Sequence, residues 1–260
     1  YRQNDEDFIN ILNQVRNNRL DKRSADMLNQ RYLPDFEPKD KEGYITLTTH
    51  NSQADEINEQ KLNKIKSELL TFEAEIKGIF PENAYPTKEL LELKVGAQVM
   101  FVKNDPSPEK LYYNGKIGKI ISYDDDNGLV VQCGDEEINV APVQWQNFEY
   151  TLNEKTNEIE EKEIGSFTQI PLKTAWAITI HKSQGLTFDK AIIDAASSFA
   201  SGQVYVALSR CRTLEGMVLA TPLRADSVIT DLHVEDYIEG QEAAAARSLS
   251  RLESIKEEYY

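Results

Sequence analysis

The sequence predicts an α/β fold with a small β barrel inserted into it, and three observations carry that expectation. A β-rich strand over residues 44–49 runs directly into a helix, the opening unit of an α/β domain. From Asp105 the texture changes to short β-rich runs punctuated by Asn114-Gly115, Asn127-Gly128 and Cys133-Gly134, which are hairpin signals at barrel-like spacing. After Pro171 short apolar strands and a helix resume, so the α/β domain is expected to be discontinuous in sequence.

In chain order, residues 5–33 read as two helices. Phe8, Ile9, Leu12 and Val15 recur at helical spacing, Ala25 and Leu28 follow, Ser24 is a candidate cap and Pro34 a stop. Beyond the strand at 44–49, Asn51 or Ser52 can cap a helix whose Ala54, Ile57, Ile65 and Leu69 form an apolar stripe. Phe72, Ala74 and Ile76 alternate with polar residues as in a half-buried strand, and the apolar run 98–102 suits a covered one. Residues 116–123, 129–133, 138–140 and 145–152 fit successive barrel strands, with a turn over 153–157. The run 175–183 is too uniformly apolar to tell helix from strand. Residues 191–194 are a strand, 202–211 a helix with Val204, Leu208 and Cys211 on one face, and 217–220 a final buried strand. The Ala-, Glu- and Arg-rich stretch 236–260 is a good helix former on propensity.

Composition excludes several function classes. Hydrophobic residues make up 40% of the 260, and no apolar run approaches the roughly 18 residues needed to span a bilayer. Two distant cysteines, Cys133 and Cys211, make neither a metal pair nor a disulfide framework and imply a reducing compartment. With three scattered histidines, no Ser-His-Asp or zinc constellation can be assembled. The net charge of −15 argues against bulk electrostatic coating of nucleic acid. Between Leu172 and Arg224, however, six basic residues face three acidic ones, and a single-strand channel needs only a local positive groove.

The most informative stretch is Ala177-Ile-Thr-Ile-His-Lys-Ser-Gln-Gly-Leu-Thr-Phe188, followed by Gln203-Val-Tyr-Val-Ala-Leu-Ser-Arg210. A polar cluster with one glycine lies between apolar flanks, and a helical segment then delivers an arginine. Polar groups and a glycine at the end of a structural element suit phosphate. An arginine on rigid structure suits charge growing on a transferred phosphoryl group.

These two segments resemble motifs V and VI of superfamily 1 helicases, in the form of the Pif-like and RecD-like branch, superfamily 1B. Ile45-Thr-Leu-Thr-Thr-His-Asn-Ser-Gln-Ala-Asp-Glu-Ile-Asn58 is similar to motif IV and its helix. Leu93-Lys-Val-Gly-Ala-Gln-Val-Met-Phe-Val-Lys-Asn104 with Tyr113-Asn-Gly-Lys-Ile-Gly118 resembles the block leading into an inserted domain, and Tyr1-Arg-Gln-Asn-Asp-Glu-Asp-Phe8 the helix after motif III. The resemblance implies a helical linker over 1–38 and a RecA-like parallel-sheet domain (2A) over 39–104 and 169–235. It further implies a Src-homology-3-like barrel (2B) over 105–168, with the helix at 236–260 closing the chain.

Neither Gly115-Lys116 nor Gly118-Lys119 fits Gly-x4-Gly-Lys-Ser/Thr, and the strand ending at Asp194 has no second acid. The chain is therefore expected to be the C-terminal half of a motor, inactive alone. ATP and Mg²⁺ would be bound mainly by an N-terminal RecA-like domain. The resemblance implies an ATP-dependent DNA helicase moving 5′ to 3′ on single-stranded DNA, a monomer, cytoplasmic or nucleoid-associated, with no membrane partner.

The same resemblance assigns roles to residues. Arg210 is a finger to the γ-phosphate and the catalytic candidate; Gln184 and Gly185 join it at ATP. Thr49, His50, Asn51, Asn104, Thr179, His181 and Lys182 are candidate DNA contacts. Plainer readings exist for each: Arg210 could merely complement a helix dipole, Gly185 could serve a turn, and Asn51 could cap a helix. The aromatics Tyr112, Tyr113, Tyr123, Trp145, Phe148 and Tyr150 could stack bases or form the core and rim of a barrel. Two rival functions follow: a nucleic-acid-binding module without catalysis, or an interaction scaffold.

Overall fold

In the computed structural model the described residues are 5–39, 42–124, 128–153, 158–194, 202–223, and 237, 240, 241, 244, 245, 247 and 248. In chain order the elements are α1 (Glu6–Arg16), α2 (Lys22–Asn29), β1 (Ile45–Thr48), α3 (Asn51–Lys64), β2 (Leu69–Glu73), β3 (Glu75–Gly78), β4 (Leu90–Lys94) and β5 (Gln98–Phe101). There follow β6 (Ile117–Asp124), β7 (Gly128–Cys133), β8 (Glu136–Val140), β9 (Val143–Asn153) and β10 (Glu158–Gln169). The last are β11 (Leu172–Thr174), β12 (Ala177–Thr179), β13 (Ala191–Ile193), α4 (Gln203–Leu208) and β14 (Met217–Leu219). The fold is mixed α/β, with parallel and antiparallel pairing, as the sequence predicts. The helix expected over 236–260 lies largely outside the described residues, as do the first four residues and Arg224.

The chain packs as two units, residues 37–179 and residues 1–36 with 180–260. In the second of these, α1 buries Phe8, Ile11, Leu12 and Val15 and packs against α4. Asp5 starts it by accepting the amides of Asp7 and Phe8. The cap of α2 is Asp21, which accepts the Ser24 amide at 2.7 Å; Ser24 is the receiving residue and not the cap expected for it. That amide bond, foremost, holds the Asp21 carboxyl below the usual range. Asp21 and Gln14 exchange two further bonds, locking α1 to α2. Beyond α2, Arg31 donates to the carbonyls of Met217 and Glu215, and Asn29 exchanges two bonds with Leu223. The N-terminal segment is thereby stitched to β14, which lies parallel to β13.

Residues 37–179 hold the second parallel pair, β1 with β12, registered Thr46↔Ala177 to Thr48↔Thr179. The run 175–183 thus contains a strand, buried at all three β12 positions. Helix α3 begins at Asn51 with no capping side chain, so neither Asn51 nor Ser52 is a cap. It ends at Lys64, leaving Ile65 beyond its last turn and Leu69 in a strand, so the expected stripe does not run on one helix. The stretch around Ala74 is two strands: β2 pairs β4, whereas β3 pairs β10.

A five-stranded antiparallel sheet, β11-β5-β6-β7-β8, surrounds the core of Val99, Phe101, Ile120, Leu129, Val131, Ile138, Val140 and Leu172. Phe101 stacks on Tyr112 at 4.2 Å, so Tyr112 is core and not a base platform. Strands β9 and β10 do not join this sheet but pair with each other and with β3. Where β10 pairs with β3, a Cβ at Gly165 would lie 2.2 Å from the Ile79 carbonyl oxygen, so only glycine admits so close an approach of the chain just after β3. Phe167 of β10 then gathers Phe80, Tyr85 and Trp145 around it.

Both cysteines are buried and in no disulfide, as expected of small hydrophobes. Burial raises the Cys133 thiol to about 11 and the Cys211 thiol to about 12, the Arg210 charge opposing it only partly at Cys211. The thiolate is the reactive form, so the folded chain is expected to resist iodoacetamide at about pH 8 and to take up two equivalents once denatured. Mass spectrometry of the two samples checks this; fast native labelling of either site would contradict it.

Candidate phosphate-binding loop and strand contacts

The loop after β12 is a series of tight turns with a fixed interior and an exposed rim. Ser183 is fully buried and donates its hydroxyl to the Ile180 carbonyl at 2.7 Å. The Gln184 amide bonds back to His181 O and the Leu186 amide to Ser183 O. His181, Lys182, Gln184 and Gly185 are exposed around this plug. Gly185 adopts φ +85° with nothing within 4 Å of where a Cβ would stand. The glycine is required by the backbone's left-handed turn, and it leaves open space over the loop.

Arg210 reaches this same loop. Its Nε donates to Val206 O at 2.9 Å, Nη1 to Leu186 O at 3.1 Å and Ser183 O at 3.4 Å, and Nη2 to Ser209 Oγ at 2.8 Å. Ser209 Oγ in turn donates to Val206 O. The main chain repeats the link: Phe188 N–H bonds to Arg210 O, and Arg212 N–H to Phe188 O. Helix α4 and the loop are therefore one rigid constellation, held further by the Arg212–Asp189 pair at 2.6 Å. A half-buried guanidinium on neutral carbonyls, beside an exposed amide side chain and an open glycine, can exchange those acceptors for phosphate oxygens.

The other candidates fall into separate places. In residues 37–179, Thr49 Oγ1 lies 2.8 Å from His50 Nδ1, and exposed His50 and Asn51 stand at the uncapped start of α3. Asn104 is exposed, and its side-chain carbonyl accepts the Asn114 amide, fixing the Asn114-Gly115 turn. Thr179 is 4% exposed at the end of β12, so its side chain belongs to the interior, unlike His181 and Lys182.

Several residues that position the site escaped the sequence reading. Asn58 of α3 accepts the amides of Trp176 and Ala177 and donates to Ala177 O at 2.8 Å, tying the helix to β12. Ser209 acts as described above, whereas Ser183 stands in the polar cluster of the sequence and proves to be its buried plug. A lone Asn within a charged helix gives no sequence signal that it will meet a strand more than a hundred residues away.

Among the described residues no three His, Cys, Asp or Glu side chains converge to hold a metal. No helix among them is long and apolar enough to cross a membrane.

Comparison with known proteins finds relatives both by sequence and by fold. No family model matches. The human ATP-dependent DNA helicase PIF1 is 34% identical over 229 residues, covering 84% of this chain and 33% of the human protein. A solved structure of unliganded Pif1 from Bacteroides sp. superposes with a TM-score of 0.84 at 40% identity, over 93% of this chain and 55% of that one. The same Bacteroides helicase has been solved with ADP-AlF4, at a TM-score of 0.84, and with single-stranded DNA, at 0.65. The chain thus spans about a third of the human relative and about half of the bacterial one. Shared sequence and shared fold place it in the Pif1-like family of superfamily 1B helicases.

Proposed function

We propose that this chain supplies the nucleotide-sensing and strand-holding part of an ATP-dependent DNA helicase. The observation that carries the reading is the seat of Arg210 on the Ser183–Leu186 carbonyls, which joins the arginine to the exposed Gln184-Gly185 turn. The residues fit a triphosphate terminus: a cation, a neutral amide and an open backbone. They do not fit Mg²⁺, for want of clustered carboxylates among the described residues, and no step here runs through a metal. ATP would lie against a P-loop lobe, the sequence having no Gly-x4-Gly-Lys-Ser/Thr of its own. The chain alone then does not turn ATP over.

The chemistry assigned to these side chains is limited and specific. Gln184 would hydrogen-bond a γ-phosphate oxygen, and Gly185 would let the backbone come close. Arg210 would leave its carbonyls to balance charge on the transferring group. Because the same loop carries His181 and Lys182 on its exposed rim, a shift on the nucleotide side would be felt by DNA phosphates. His50, Asn51 and the α3 N-terminus would offer a second set of sequence-indifferent phosphate contacts. Thr179 would act from the interior, by fixing the loop's entry. The family resemblance gives a RecA-like domain 2A over 39–104 and 169–235 and a domain 2B over 105–168. Each unit holds one parallel strand pair, in keeping with that reading, while β5 and β11, which flank the insert, pair into its antiparallel sheet. The Bacteroides relative bound to single-stranded DNA supports that strand as substrate, and movement 5′ to 3′ follows from the family resemblance alone. Cytoplasmic or nucleoid-associated monomers fit the reading.

The expected result for the chain by itself is weak binding to single-stranded oligonucleotides that falls steeply with salt and ignores base sequence. Lys182→Ala should weaken all sequences alike and reduce the salt slope by about one. Fluorescence anisotropy across a salt series measures both. Binding that is undetectable at low salt, or unchanged by the substitution, would remove Lys182 from the interface.

A further inference from the structure

The distal half of the β9–β10 pair presents a surface that phosphate binding does not use. Beyond Gly165–Thr168, where β10 pairs β3, the two strands continue as a two-stranded ribbon, 148–153 against 158–163. Directly paired residues share a face. One face therefore carries Leu152 with Ile159, Tyr150 with Glu161 and Phe148 with Glu163. On it Tyr150 is 66% exposed, Leu152 61% and Ile159 74%. A two-stranded ribbon is marginally stable by itself, and a row of apolar side chains along one marks a contact surface.

The ribbon also has an open edge. Strand β3 stops at Gly78, and the Ile79 amide bonds to Ile164 O. Among the described residues no strand continues along the edge of 158–163 that faces away from β9. The sequence there, Glu-Ile-Glu-Glu-Lys-Glu, carries four carboxylates and one ammonium. Glu161 accepts the Tyr150 hydroxyl at 3.0 Å and Glu163 the Gln146 amide at 2.7 Å, so both carboxylates are aligned over the ribbon. Charge on an edge discourages strand addition by partners of the same sign. It does not explain the exposed apolar row, and it favours a partner of opposite sign. Nucleic acid and a second copy of this acidic chain are both repelled.

We propose that this ribbon is a docking site for an extended, Lys- and Arg-rich segment of another protein, laid along the open edge of β10. Main-chain hydrogen bonds would add it to the sheet. Its basic side chains would flank Glu160, Glu161 and Glu163, and one large apolar side chain would cover the Ile159–Leu152 pair. The Glu-rich edge sets the sign of the partner, and the apolar pair sets its register.

The test uses the whole chain with an array of short synthetic peptides, in which basic, acidic and apolar residues are permuted in extended sequences. Peptides with alternating basic residues around one Ile or Val should bind and protect the amides of 158–163 from hydrogen exchange. Glu161→Gln with Glu163→Gln, and separately Leu152→Ser with Ile159→Ser, should each weaken binding about tenfold or more; circular dichroism checks that these surface variants remain folded. Acidic peptides binding equally, or binding that survives both double substitutions, would overturn the proposal. Protection of the same amides by a single-stranded oligonucleotide, or by self-association at raised protein concentration, would overturn it in favour of DNA or a dimer.

Discussion

Replacing Arg210 with alanine, in an enzyme that joins this chain to its P-loop lobe, should lower ATP turnover by roughly 10³ to 10⁵. That corresponds to about 4 to 7 kcal/mol of transition-state stabilisation. Nucleotide affinity should fall far less, because the arginine acts on charge that develops during transfer. The structural role has to be separated from the chemical one, since Arg210 also bonds to Leu186 O, Ser183 O and Val206 O. Arg210→Lys supplies the control. Lysine keeps a cation but cannot fork across several acceptors, so the loop should loosen while some turnover remains. Single-turnover hydrolysis and a fluorescent nucleotide titration give the two readouts. Near-normal turnover by the alanine variant would take Arg210 out of the chemistry and leave it as a loop clamp.

Asn58→Ala is expected to be the most damaging polar truncation away from the nucleotide face. It leaves the Trp176 and Ala177 amides without their acceptor and the Ala177 carbonyl without a donor. Unsatisfied groups of this kind cost about 1 to 3 kcal/mol each, and part of the loss is recovered by water, so a destabilisation of about 2 to 4 kcal/mol is expected. Urea denaturation measures it. Because β12 leads straight into His181 and Lys182, oligonucleotide affinity should also decline in native conditions. A loss below about 1 kcal/mol would mean that water replaces the amide without strain.

The alternation of apolar and polar residues, together with turn residues, made the strands readable before any coordinates. Residues 98–102, 129–133, 191–194 and 217–220 all contain strands close to their expected limits. Gly202 with Val204 and Leu208 likewise sufficed for α4, but the helix ends at Leu208, short of the expected limit, and Cys211 bridges to Phe188 instead of joining its face. The constellation of Arg210 with the 183–186 loop was approachable because both segments carry motif-like spacing within a short stretch of chain. Pairing was not readable in the same way. Residues 145–152 pair with β10, which in turn pairs with the sequence-distant β3, and no local pattern encodes that choice over the five-stranded sheet. The α2 cap was misplaced by three residues because Asp21 and Ser24 are both good capping residues and only geometry chooses between them. Asn58 was invisible for a related reason: its partners are distant in sequence.

The stitching of Asn29 to Leu223 and of Arg31 to Met217 fixes an order of events during synthesis. Helices α1 and α2 leave the ribosome before residues 37–179, yet their acceptors at Met217 and Leu223 emerge only after that whole stretch has been made. That intervening stretch contains its own core and can close on itself meanwhile. Until then α1 and α2 lack these partners. Closure of a loop this long is entropically slow, so the rate at which this part of the nascent chain becomes protease-resistant should be governed by the late annealing of α1 and α2 onto residues 215–223.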